Sequence, residues 1–143
     1  MVDVRSSGAL NLHALYIDDD HLNLRVVADL LESVGAAVTC CRRPIEALEL
    51  LATRPFDVVL IDIHMPEMSG IELLSRLRRR IGPNRATPAL ALTADLTRDE
   101  QQYRALGFDG FLAKPVALKD LLTRILGVLK ATAEARGPRL ARA

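Results

Sequence analysis

Five short apolar runs recur along the chain, and each is followed by a segment with helical spacing of apolar residues. A buried parallel strand is typically a short apolar run, and strict alternation with helices predicts right-handed βαβ units. We therefore predict an α/β fold of flavodoxin-like type, a doubly wound five-stranded parallel sheet of order 2-1-3-4-5 flanked by five helices. The predicted strands are 14–17, 37–41, 58–61, 89–92 and 110–113; the predicted helices are 22–34, 44–51, 69–81, 97–106 and 118–129.

The third apolar run ends in a single carboxylate. Asp62 follows the run 58–61, which lies between Pro55 and Pro66. Ligands of open α/β sheets bind beyond the carboxyl ends of the strands, so Asp62 is a candidate reactive group. Taken alone, it could equally be a turn aspartate that hydrogen-bonds its own backbone.

Polar residues also follow three other predicted strands. Asp18 and Asp19 follow the first, Thr93 the fourth and Lys114 the fifth. The carboxyl ends of parallel strands lie at one edge of the sheet, so we expect these side chains to meet Asp62 there. Alone, Lys114 could be an ordinary solvated lysine, and the Thr93 hydroxyl could bond to local backbone.

Three neighbouring carboxylates repel one another unless a cation lies between them. Oxygen ligands suit Mg²⁺, so we predict a magnesium site at Asp18, Asp19 and Asp62, with the backbone carbonyl of His64 beside it. Asp20 is assigned to capping the first helix instead. The side chains of His21 and His64 are expected to face solvent.

Composition limits the class of protein. The 143 residues are half hydrophobic with a net charge of +1, which predicts one domain, no direct nucleic-acid contact and no membrane span. Cys40 and Cys41 are adjacent and are expected to be buried thiols. Without a secretory signal pattern, the expected location is cytoplasmic. The expected organisation is a polar arm (1–11), one domain (12–130) and an Ala/Arg-rich tail (131–143).

The segments YIDDDHLN, VVLIDIHMPEMSG, ALALTAD and GFDGFLAKP together resemble the receiver domain of two-component response regulators. The resemblance implies that Asp62 is the phosphorylated aspartate and that Mg²⁺, or Mn²⁺, binds at the acids. It also implies that Thr93 and Lys114 are the family's hydroxyl and lysine and that Thr93 and Phe111 form the switch. Phe111 replaces a residue that is often Tyr.

The resemblance implies a phosphorylation-dependent signalling switch in a two-component phosphorelay. The phosphoryl donor would be a phosphohistidine on a histidine kinase or a histidine phosphotransfer domain. The segments DHLN and KPVALKDLL are most similar to receivers associated with hybrid histidine kinases. The chain would act as a phosphoacceptor that catalyses at most its own phosphorylation and dephosphorylation, as a monomer or weak homodimer. An unidentified target would bind the face formed by 97–106, 110–113 and 118–129.

Other interpretations remain open at this point. Asp18 followed by Asp20, with Thr93 and Lys114 later, resembles the motif order of haloacid-dehalogenase-type phosphatases, in which Asp18 would be the nucleophile. That order leaves Asp62 unexplained, and Leu22 stands where a hydroxyl residue is expected. A nucleotide- or flavin-binding module would require a glycine-rich loop after the first strand. The arginines 76 and 78–80 could suggest DNA binding but also complement a helix dipole.

Overall fold

The computed structural model of the chain describes residues 3–4 and 10–136. Five parallel strands form one sheet of order β2-β1-β3-β4-β5. The strands are β1 His13–Ile17, β2 Ala37–Cys41, β3 Val58–Asp62, β4 Ala89–Thr93 and β5 Gly110–Ala113. The helices are α1 His21–Glu32, α2 Pro44–Thr53, α3 Gly70–Arg79, α4 Glu100–Ala105 and α5 Leu118–Arg136. The predicted fold class and strand order are confirmed.

The helices cover both faces of the sheet. One core layer packs α2, α3 and α4 against the sheet through residues such as Leu51, Leu74 and Tyr103. The other packs α1 and α5 against the opposite face through residues such as Leu31 and Leu121. The strands β3 and β4 are buried along their whole length, which explains their unbroken apolar runs. No helix among the described residues is long and apolar enough to cross a bilayer.

Strand register brings the carboxyl ends of the strands to one level. Ile17 lies beside Ile61, and Asp62 lies beside Leu92. The Lys114 amide donates to the Thr93 carbonyl at 2.9 Å, which continues the pairing of β4 and β5 by one residue. The residues that end these strands therefore share one edge of the sheet.

Gly70 begins α3 directly against the end of β3. Its amide donates to the Ile63 carbonyl at 2.8 Å. A Cβ atom at this position would lie 2.3 Å from the Asp62 carbonyl oxygen and 2.7 Å from Ile61 Cγ2, so only glycine fits.

The start of α1 agrees with the sequence prediction, whereas the start of α4 does not. Asp20 caps α1 by accepting from the Leu22 amide at 2.8 Å, as predicted. The predicted start of the fourth helix at residue 97 is wrong, because Asp99 and Gln102 form the capping box and α4 begins at Glu100. The Thr97 amide instead donates to Asp95 at 2.9 Å, which keeps this residue in the preceding loop.

Other boundaries also differ from the sequence prediction. Part of the arm 1–11 forms a two-residue antiparallel ribbon, Asp3–Val4 with Leu10–Asn11, and Leu10 is buried. The last helix continues to Arg136, into the segment assigned to the tail, whose residues 137–143 lie outside the described part of the chain. Ile81, expected on the inward stripe of α3, lies beyond the helix and is 86% exposed.

The structure also tests the expectations for the two cysteines and for the arginines of α3. The thiol of Cys41 is buried as expected, but Cys40 is exposed, because adjacent residues of a strand face opposite sides. Arginines of α3 engage this chain itself: Arg76 pairs with Glu72 at 2.6 Å, and Arg78 donates to the Arg85 carbonyl at 2.9 Å.

Asn84 joins three segments at the opposite edge of the sheet from the polar residues. It is fully buried, and its amide group donates to the carbonyls of Leu51 and Arg54 at 2.8 and 2.6 Å. Its oxygen accepts from the Phe56 amide at 2.9 Å and from the Thr87 hydroxyl at 3.0 Å. One side chain thus satisfies the end of α2, the start of β3 and the loop before β4.

We predict that Asn84→Ala lowers the free energy of unfolding by about 3 kcal/mol, because it leaves buried backbone groups unpaired. Urea denaturation followed by circular dichroism measures this. The matched control is Asn11→Ala, since Asn11 is exposed. Equal stability of the two variants would contradict the role assigned to Asn84.

Candidate functional site

The structure brings Asp18 and Asp62 together around the ammonium group of Lys114, with Asp19 beside them, whereas the Thr93 hydroxyl bonds to the loop after β4. This nitrogen lies 2.7 Å from Asp18 Oδ2 and 2.9 Å from Asp62 Oδ1. Only 15% of the Lys114 side chain is exposed, so the two ion pairs are shielded from water. The peptide bond from Lys114 to Pro115 is cis.

Asp18 is fully buried and accepts hydrogen bonds at both carboxylate oxygens. Its Oδ2 atom accepts from the Tyr16 hydroxyl at 2.5 Å as well as from Lys114. Its Oδ1 atom accepts from the Asp20 amide at 2.9 Å. These three hydrogen bonds hold the buried carboxylate in one position.

The three acids form a cluster that suits a hard cation. One carboxylate oxygen from each of Asp18, Asp19 and Asp62 lies within 4.8 Å of the others. Asp19 is half-buried and gives the cluster a side open to solvent, whereas Asp18 already has three donors. The all-oxygen donor set fits Mg²⁺, which retains several of its waters when bound to protein carboxylates.

The charges of the site shift its protonation equilibria. Burial raises the pKa of Asp62 to about 6; the hydrogen bond from Lys114 opposes the rise, and the charge of Asp18 and a hydrogen bond with Asp19 add to it. Burial lowers the pKa of Lys114, but its bonds to Asp18 and Asp62 outweigh that effect, so the net direction is upward. Lys114 therefore stays protonated, while Asp62 titrates at about pH 6.

Thr93 ends β4 and is fully buried. Its hydroxyl oxygen accepts from the Asp95 amide at 2.9 Å, so the hydroxyl is engaged by the local backbone, the alternative weighed for this residue. Asp95 also contacts the His64 imidazole at 3.0 Å. Hydrogen bonds from Thr97 and then from His64 hold the pKa of Asp95 at about 2. The loop after β4 is thus tied to the loop after β3.

Phe111 on β5 is half-buried and stacks on Tyr103 of α4, with ring centroids 4.9 Å apart and an interplanar angle of 28°. Tyr103 is fully buried, and its hydroxyl has no hydrogen-bond partner among the described residues. The packing of α4 against the sheet therefore depends on an aromatic pair.

Sequence reasoning missed Tyr16, Asp95 and Tyr103. Tyr16 lies in an apolar run and was read only as part of a strand. Its position two residues before Asp18 was the available signal, since residues i and i+2 of a strand share a face. The exposed side chains of His21 and His64 agree with expectation, although His64 bonds to Asp95.

Comparison with known proteins identifies the family. The family model described as the response regulator receiver domain matches residues 14–126. Sensor histidine kinase AruS of Pseudomonas aeruginosa is 42% identical over 118 residues, which cover 81% of this chain and 12% of AruS. The chain thus spans about an eighth of that relative. The comparisons give no support to the phosphatase interpretation.

Solved structures agree with this assignment. The Francisella response regulator 1452 receiver domain has a TM-score of 0.75 and 33% identity, covering 86% of this chain and all of that one. The receiver domain of sensor histidine kinase PA1611 from Pseudomonas aeruginosa shares the fold, with a TM-score of 0.76, 24% identity and coverage of 84% of this chain and 98% of that one. The chain therefore belongs to the response regulator receiver domain family.

Proposed function

We propose that Asp62 accepts a phosphoryl group from a phosphohistidine and that the resulting aspartyl phosphate is the signal this chain carries. Membership of the receiver family indicates two-component phosphorelay signalling. The observation that carries the assignment to Asp62 is its position beside the Lys114 ammonium, 2.9 Å away, and next to two further acids.

The residues of the site suit in-line phosphoryl transfer. A carboxylate oxygen of Asp62 attacks the phosphorus atom, the phosphorus–nitrogen bond of the phosphohistidine breaks, and the leaving imidazole takes up a proton. The Lys114 ammonium binds an oxygen of the transferred group and offsets its charge. Transfer to Asp62 is stoichiometric, so the chain acts as an acceptor that promotes only its own phosphorylation and dephosphorylation.

The metal proposed for this site is Mg²⁺, with Mn²⁺ as a substitute of similar ligand preference. Asp19, Asp62 and the His64 backbone carbonyl would hold it, and Asp18 would act mainly through water because three donors already bind its carboxylate. When bound, the cation supplies neutralisation of the phosphoryl oxygens. The PA1611 receiver, which shares this fold, carries magnesium in its active-site cleft.

The proposed output of phosphorylation is a change of the loop after β4. The new phosphoryl oxygens are strong acceptors, and the Thr93 hydroxyl is a donor at the same edge of the sheet. The Thr93 hydroxyl oxygen accepts from the Asp95 amide, so a movement of Thr93 towards the phosphoryl group pulls on this loop. The loop then moves, and Phe111 changes its packing against α4.

The proposed partners are inferred from the family and from one exposed face of the domain. Kinases such as AruS are relatives, so a histidine kinase or a histidine phosphotransfer domain is the proposed donor. The output surface is the face of 97–106, 110–113 and 118–129, used for a protein target or for a weak homodimer.

The first test concerns the acceptor residue. We expect phosphoramidate with Mg²⁺ to add one phosphoryl group, labile to hydroxylamine, to the parent chain and none to Asp62→Asn, because the nucleophile is lost. Intact-mass spectrometry measures the modification. Asp20→Asn is the matched control, since asparagine also caps a helix and Asp20 is exposed. Labelling of Asp62→Asn together with loss in Asp18→Asn would favour the phosphatase interpretation.

The second test concerns metal binding and pH. Protonated Asp62 does not ligate a cation, so we expect Mg²⁺ affinity to fall about tenfold per pH unit below a pH near 6 and to level off above it. Calorimetric titration between pH 5 and pH 8 measures this. Asp19→Asn should weaken binding at every pH, and Asp20→Asn should not. A constant affinity across this range would contradict the assignment of Asp62 as a ligand.

The third test concerns the switch. Beryllium fluoride, a phosphoryl mimic, should shift nuclear magnetic resonance signals of Thr93, Phe111 and α4, because the Thr93 hydroxyl moves towards the new acceptor. Thr93→Ala should bind the mimic but leave α4 and Phe111 unshifted, since the donor is absent. Shifts confined to the surroundings of Asp62 in the parent chain would rule out this mechanism.

A further inference from the structure

Tyr16 lies within an apolar strand but contacts a residue of the site. Its ring is fully buried in the core layer beneath α1 and α5, beside residues such as Leu121 and Ile125. Its hydroxyl donates to Asp18 Oδ2 at 2.5 Å. Burial, followed by the hydrogen bond to Asp18, raises the pKa of the phenol, so Tyr16 remains a neutral donor.

The same carboxylate oxygen accepts from Lys114 at 2.7 Å. The two donors differ in rigidity. The Tyr16 ring is fixed by core packing, whereas Lys114 has a long side chain that also reaches Asp62 at 2.9 Å. Asp18 is therefore located from the core side by Tyr16, and Asp18 in turn locates the ammonium group.

We propose that Tyr16 is a positioning residue for phosphoryl transfer, whose hydroxyl fixes Asp18 and keeps Lys114 shared between Asp18 and Asp62. This inference rests on the proposed acceptor role of Asp62. The phenolic hydrogen bond takes up part of the acceptor strength of Asp18. Without it, Asp18 binds the ammonium group more closely, and Lys114 is less available to an incoming phosphoryl oxygen.

Tyr103 provides a matched control for substitution of Tyr16. Both tyrosines are fully buried, and the chain contains no others and no tryptophan. Tyr16 bonds to Asp18, whereas the Tyr103 hydroxyl has no partner among the described residues. Tyr16→Phe and Tyr103→Phe therefore remove the same atom from equally buried rings, but only the first removes a hydrogen bond.

The kinetic test compares phosphorylation by phosphoramidate at saturating Mg²⁺. We expect Tyr16→Phe to lower the rate constant roughly three- to tenfold, because part of a charge-assisted hydrogen bond is lost in the transition state. Its Mg²⁺ affinity, measured by calorimetry, should stay within about twofold of the parent, because the Tyr16 hydroxyl bonds to Asp18 and not to the proposed direct ligands. Tyr103→Phe retains the ring that stacks on Phe111, so a lower rate in Tyr16→Phe than in Tyr103→Phe isolates the hydrogen bond to Asp18 from the loss of a buried hydroxyl. A general loss of structure would lower rate and affinity together.

The spectroscopic test uses tyrosine emission, which reports on these two residues alone. Mg²⁺ entering beside Asp18 changes the field at the Tyr16 phenol. The emission of Tyr103→Phe, which retains only Tyr16, should change with the same midpoint as calorimetric Mg²⁺ binding. The emission of Tyr16→Phe should not change.

Each outcome has a defined meaning. A parent rate in Tyr16→Phe, or silent emission from Tyr103→Phe at saturating Mg²⁺, would overturn the role of Tyr16. If Tyr16→Phe does not fold, the emission of Tyr103→Phe still decides. A parent chain that phosphoramidate does not label, but whose Tyr16 emission responds to Mg²⁺, would instead contradict the proposed function and leave the link between Tyr16 and the acids intact.

Discussion

The ammonium group of Lys114, shared by two buried carboxylates, is the interaction on which the polar edge of the sheet depends. Three acids surround one lysine, so the edge carries excess negative charge even with both ion pairs formed. Burial is the main reason that the pKa of Asp62 rises to about 6, and the charge of Asp18 adds to the rise. Because that value lies above the pKa of an unfolded aspartate, the native state binds the proton more tightly. Ionisation of Asp62 between about pH 4 and pH 6 therefore costs folding stability, and a bound cation would return it.

Short hydrogen bonds connect the residues at this edge of the sheet. Asp62 accepts from Lys114, and Asp18 accepts from Tyr16. The loops after β3 and β4 meet where His64 contacts Asp95. The Asp95 amide in turn occupies the Thr93 hydroxyl. The site at Asp62 and the loop that precedes α4 are therefore connected through the contact of His64 with Asp95.

The sequence predicted the strands to within one residue because their apolar runs are continuous and buried on both faces. It predicted the meeting of Asp18, Asp62 and Lys114 because parallel strands end at one edge, whereas the Thr93 hydroxyl at that edge is bonded to Asp95. It failed where two similar signals compete. Thr97 and Asp99 are both good caps, and a local bond from the Thr97 amide to Asp95 keeps Thr97 in the loop, so that Asp99 caps α4. Tyr16 and Asn84 were missed for different reasons. The spacing of Tyr16 and Asp18 shows that they share a strand face but not that they bond, and an asparagine within a loop has no pattern that reveals its partners. These partners depend on tertiary structure.

Gly70 has a consequence for how this site can change over time. Helix α3 starts against the carbonyl oxygen of Asp62 with no room for a Cβ atom. Substitution there would force the acceptor strand and the helix apart, and the displacement would pass directly into the position of the Asp62 carboxylate. The position of the Asp62 carboxylate is therefore set together with the start of this helix, and no side chain larger than a hydrogen atom can occupy that start.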